Sequence, residues 1–109
     1  MNRHLLFAGI LLCLPVAVLA ADAYEATVVI RDHRFEPVEL HVPASQRIKL
    51  TVDNRDSSAE EFESHDLDQE KIIAGNSAGT IRFGPLNPGR YAFVGEFHEE
   101  TARGVIVAE

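Results

Sequence analysis

The sequence predicts an all-β fold, a Greek-key β-sandwich of about seven strands. Three observations carry that expectation. The apolar runs are short and rich in Val and Ile, Pro, Gly and Asn interrupt them about every ten residues, and no stretch repeats its apolar positions with a helical period. With no helix to cover a sheet, the strands must bury their apolar faces against one another as two packed sheets.

Taken in order, residues 25–31 (EATVVIR) and 38–42 (VELHV) read as strands around a turn that holds Pro37. Residues 47–53 alternate cleanly, with Ile48, Leu50 and Val52 on one face and Lys49, Thr51 and Asp53 on the other. Residues 79–83 turn Ile81 and Phe83 inward, and residues 90–96 place Tyr91, Phe93 and Gly95 on the inner face. Residues 104–108 close the chain, with Val105 and Val107 assigned to the core. Leu86-Asn87-Pro88-Gly89-Arg90-Tyr91 is a tight turn whose tyrosine is placed to hydrogen-bond back to the turn backbone. The stretch holding Glu60, Glu61, Glu63, Asp66, Asp68 and Glu70 reads as an acidic loop.

Residues 1–20 are expected to be a cleaved signal peptide, leaving residues 21–109 as a single domain. A polar, basic start (Asn2, Arg3, His4) leads into an uncharged stretch interrupted by Pro15, and Val18-Leu19-Ala20 offers the small residues a signal peptidase reads. Cleavage would place the protein in the periplasm and remove both sulfur-bearing residues, Met1 and Cys13. The domain would then hold no thiol nucleophile, disulfide or sulfur ligand.

The formal charge of -7 becomes one unit more negative once Arg3 is lost. Such a balance argues against nucleic acid or an anionic membrane surface as partner and favours metal ions or basic protein surfaces. A calcium loop starting at Asp66 fails, because Lys71 stands where glycine is needed and Ser77 where a bidentate glutamate is needed. No Gly-x-Ser-x-Gly elbow or glycine-rich phosphate loop is present.

Five short motifs follow one another along the chain: Phe35-Glu36-Pro37, Val42-Pro43-Ala44, Val52-Asp53-Asn54, Leu86 through Phe93, and Gly104-Val105-Ile106-Val107. In that order they resemble the cupredoxins, and within them the EfeO-type cupredoxin-like domains of bacterial iron-uptake systems. The sequence departs from the blue-copper members at the ligands. The first ligand histidine position reads Glu60-Glu61-Phe62, the cysteine position falls on Gly95 and the methionine position falls near Ala102 or Arg103; the second histidine remains, as His98. A trigonal copper–thiolate site cannot form without sulfur.

The expected metal ligands are therefore His98, Glu60, Glu61, His33 and Glu96, a nitrogen and oxygen set suited to copper(II) or iron and poor for Cu(I). His41 reads as a strand surface residue, and His65 matches no motif position. The resemblance implies help with iron uptake or ferrous oxidation, beside a periplasmic iron-binding protein and a membrane iron permease. An accessory ferroxidase would differ from a binding protein only in turnover. Two or three ligands per chain are few for a hexacoordinate ion, which leaves room for a homodimer that shares the site. The rival expectation is a metal-free sandwich that docks a basic partner through its acidic loop.

Overall fold

The structure is a computed structural model that describes residues 8–14 and 22–109. Most of the expected signal peptide lies outside the described residues. The part inside, residues 8–14, is exposed irregular chain, and among the described residues no helix is long and apolar enough to cross a membrane.

Among the described residues, nine strands form two sheets. They are β1 (Tyr24–Arg31), β2 (Arg34–Glu36), β3 (Glu39–Val42), β4 (Ile48–Asn54), β5 (Glu60–Ser64), β6 (Gln69–Ile73), β7 (Ser77–Phe83), β8 (Gly89–Gly95) and β9 (Arg103–Ala108), with a short 3₁₀ turn at Glu96–His98. One sheet runs β2-β1-β4-β7 and the other β3-β9-β8-β5-β6. The parallel pairs β1/β4 and β3/β9 cannot be hairpins, so the chain crosses repeatedly between the sheets, and this ties them into a sandwich.

The alternation in β4 is realised in full: Ile48, Leu50 and Val52 are buried, and Asn54 extends the same face. At the centre, Phe93 meets Phe35 edge-on, with ring centroids 4.8 Å apart, and stacks on Phe62 at 5.1 Å. The tyrosine turn forms as expected, the Tyr91 hydroxyl donating to the Asn87 carbonyl at 2.7 Å.

Two expectations are corrected. The acidic run is no loop: most of it forms the β5/β6 hairpin, in register from Glu60 opposite Ile73 to Ser64 opposite Gln69. In β9 the inward residues are Ile106 and Ala108, whereas Val105 and Val107 lie on the other face, because Tyr91 pairs with Ile106 and Phe93 with Gly104.

Gly104 is required by packing, since a Cβ there would come within 2.3 Å of the Phe93 ring. That ring is wedged between Phe35 and Phe62, so the clash cannot be relieved by a simple rotation. Gly104→Ala is expected to lower stability by about 1–3 kcal/mol, the usual cost of overpacking a core. Urea unfolding of parent and variant measures it, and equal midpoints would show that the ring has room to move.

Candidate metal centre

The site begins at the β1/β2 turn. Asp32 and His33 both have positive φ, at 52° and 55°, the conformation that a two-residue hairpin loop needs and that side chains disfavour. Asp56 holds them there: its carboxylate accepts the backbone N–H of Asp32 at 2.8 Å and of His33 at 2.9 Å. Asp56 is fixed in turn by the buried Asn54, whose side-chain oxygen accepts the Asp56 N–H at 3.1 Å while its amide ties down the carbonyls of Ser58 and Ile73. Burial alone would raise the Asp56 pKa, but the two N–H donors and the imidazoles of His33 and His98 hold it below the ordinary aspartate value. From the far side, the Thr101 hydroxyl donates to the His33 carbonyl at 2.6 Å.

This scaffold lays His33 flat against His98, with ring centroids 3.5 Å apart and planes 16° from parallel. His98 closes the 3₁₀ turn after β8, where its carbonyl accepts the Ala102 N–H at 2.8 Å. Its Nδ1 stands 2.5 Å from Oε2 of Glu60, the inward-facing first residue of β5, which is 1% exposed. The other carboxylate oxygen of Glu60 accepts two backbone N–H groups, from Phe97 at 2.9 Å and Glu61 at 3.0 Å. Gly95 makes room for the group: a Cβ there would lie 2.7 Å from Glu60 Cδ and 2.7 Å from Ala102 Cβ.

Glu61, the next residue, points to the opposite face of β5. There it meets Glu70 of β6 and Glu96 of the 3₁₀ turn, and one carboxylate oxygen from each of the three lies within 4.8 Å of the others. Glu63, two residues on, faces Glu96 as well, and its other neighbour His65 approaches at 3.3 Å. Among the described residues no ion pair involves Glu61, Glu70 or Glu96. Contact with Glu70, then burial, then contact with Glu96 and the charges of both push the Glu61 carboxyl up to about 7, and Glu63 is raised in the same way by Glu96.

A pH dependence follows. Glu61 titrates near 4.5 in the unfolded chain and near 7 in the fold, so between those values the fold keeps a proton that the unfolded chain has released. Stability without metal is therefore expected to fall as pH rises from about 5 to about 7.5, and Glu63 acts in the same direction. Thermal melts across that range should show a smaller decline for Glu61→Gln than for the parent. Parallel curves would place the retained proton elsewhere.

Of the five expected ligands, the fold thus groups His98, Glu60 and His33 at the mouth of the sandwich. Glu61 and Glu96 it sets apart, on the outer face with Glu70. Glu70 belonged to the acidic run but was not singled out, and only the β5/β6 register reveals that it faces Glu61. His41 sits on the exposed surface as expected, 2.7 Å from Glu109.

A blue-copper centre does not fit these residues. Residues 22–109 contain no Cys or Met, and the space a side chain at position 95 would need is filled by the Glu60 carboxylate. The outer trio offers oxygen donors of the kind a hard or borderline cation takes. They stand within 4.8 Å of one another, against the about 3–4 Å between oxygens that share an ion at about 2.1 Å, so a cation there would draw them together.

The two-sheet architecture is that of small copper-protein sandwiches. The match to auracyanin A, a blue copper protein from Chloroflexus aurantiacus, has a TM-score of 0.68 at 13% identity, over 81% of this chain and 100% of that one. The metal binding domain of the Cu(I)-exporting P-type ATPase CopA of Streptococcus pneumoniae D39 matches with a TM-score of 0.65 at 16% identity, over 78% of this chain and 84% of that one. In sequence, the chain is 45% identical over 83 residues to the uncharacterized protein RP394 of Rickettsia prowazekii, covering 76% of this chain and 66% of that protein's length. Residues 4–108 match the Cupredoxin-like domain model, and the chain belongs to that family.

Proposed function

We propose that the protein is a periplasmic metal-binding cupredoxin that holds iron or Cu(II) through oxygen and nitrogen donors and assists iron uptake. The observation that carries this reading is the Glu61, Glu70 and Glu96 trio. Its donors converge within 4.8 Å, Glu61 is only 8% exposed, and among the described residues no ion pair involves any of the three. The Glu61 carboxyl, pushed up to about 7 by contact with Glu70, by burial and by contact with Glu96, is a group whose crowding a cation would relieve. His98, at the neighbouring mouth, offers a nitrogen donor.

Hard carboxylates stabilise Fe(III) over Fe(II), so such a site would lower the iron potential and favour ferrous oxidation by an external electron acceptor. A periplasmic iron-binding protein and a membrane iron permease are the partners the family resemblance suggests. The acidic surface suits a carrier that collects cations and passes them on. Competition titrations of the full chain with chelating dyes, using Cu(II), Cu(I) and anaerobic Fe(II), test the reading. Preference for Cu(II) and iron over Cu(I) is expected; tight Cu(I) binding or no binding at all overturns it.

A further inference from the structure

The mouth of the sandwich carries a carboxylate whose role differs from that of a ligand. We infer that Glu60 is a positioning residue that fixes the ring and the tautomer of His98. The inference rests on the reading that His98 is a metal donor and adds how that donor is prepared.

Both oxygens of the Glu60 carboxylate are engaged inside the fold. One oxygen takes the N–H groups of Phe97 and Glu61, and the other faces His98 Nδ1 at 2.5 Å. A carboxylate can only accept, so the hydrogen in the last contact must sit on Nδ1. Neutral His98 then carries its lone pair on Nε2, at the ring edge away from the buried carboxylate. The side chain of His98 is 26% exposed and that of Glu60 2%, so the imidazole, unlike the carboxylate that holds it, is open in part to a ligand. The same hydrogen bond increases the basicity of the imidazole as a donor.

Two further features hold the ring in this pose. His33 lies flat on it at 3.5 Å, fixing its plane, and His33 is itself pinned by Asp56 and Thr101. Gly95 lacks the Cβ that would displace the carboxylate from beneath the ring. Glu60 and Gly95 thus work as a pair: with a side chain at position 95, the Glu60 carboxylate could not stand where it does.

Glu60→Gln gives the decisive contrast. The glutamine oxygen can still accept from Phe97 and Glu61, which turns its NH₂ toward His98. An NH₂ only donates, so Nδ1 must become the acceptor and the ring hydrogen moves to Nε2, closing the lone pair that a metal would need.

The test is long-range ¹H–¹⁵N correlation NMR of the full chain labelled at histidine, above about pH 8 where imidazoles are neutral. His98 is assigned by its loss in His98→Gln. The parent should show His98 hydrogenated at Nδ1, and Glu60→Gln should show it at Nε2 with Cu(II) affinity at least tenfold lower. A parent His98 hydrogenated at Nε2, or averaged like free histidine, overturns the inference even if Glu60→Gln does not fold. So does a Glu60→Gln spectrum with the tautomer unchanged. If His98 is hydrogenated at Nδ1 but His98→Gln binds Cu(II) like the parent, the positioning stands and the reading of His98 as a metal donor falls.

Discussion

Glu61→Gln combined with Glu96→Gln is expected to weaken Cu(II) and iron binding by about a hundredfold or more, while leaving the protein at least as stable as the parent. Each substitution removes one charged oxygen donor from the trio with Glu70, and a lost ligand costs on the order of tenfold, or about 1.4 kcal/mol. The stability half of the result separates function from architecture. If the three carboxylates were structural, neutralising two of them would destabilise the fold. Contact with Glu70, burial and contact with Glu96 push the Glu61 carboxyl up to about 7, the direction expected where neighbouring carboxylates resist ionising together. Neutralising two of them is therefore expected to relieve a repulsion that a proton or a bound cation would otherwise offset. Dye competition with a thermal melt on the same samples reads both quantities. Unchanged affinity in the double variant would remove the outer face from metal binding and leave the His98 mouth as the candidate.

Where apolar alternation was clean, the sequence was legible. Ile48, Leu50 and Val52 announced β4, and the Pro88-Gly89 turn announced the Tyr91 bond to Asn87. It misled where a strand's two faces carry similar chemistry. Gly104 to Ala108 is apolar throughout, so its inward phase comes from pairing with β8, which puts Ile106 opposite Tyr91. Glu60-Glu61-Phe62-Glu63-Ser64 hides its strand for the opposite reason. Two of its inward residues, Glu60 and Ser64, are polar and buried because each is hydrogen-bonded, Glu60 to His98 and Ser64 to the Ala92 carbonyl at 2.7 Å. Read as a loop, the run gave no reason for neighbours Glu60 and Glu61 to serve different places. Read as a strand, its period of two sends one to the histidines and the other to Glu70 and Glu96. The sequence named His33 and His98 among the expected ligands, but their stacking depends on the positive-φ turn that Asp56 stabilises.

Glu60→Ala is expected to be the most destabilising single substitution at the mouth, even with no metal present. Three donors lose their acceptor together: the N–H groups of Phe97 and Glu61, and His98 Nδ1. A buried donor left without its acceptor costs about 1–3 kcal/mol. His98 is a quarter exposed, so water can recover part of its loss, whereas the Glu60 side chain is 2% exposed and leaves its space among buried groups. A net loss of about 2–4 kcal/mol is therefore expected, a large share of the roughly 5–15 kcal/mol that holds a domain together. In a domain of this size it corresponds to a Tm about 10–20 °C lower. The direction contrasts with Glu61→Ala one residue away, where loss of a repelled carboxylate should leave the melt unchanged or raise it. If both variants melt alike, the two glutamates do not occupy the opposite roles that the strand assigns them.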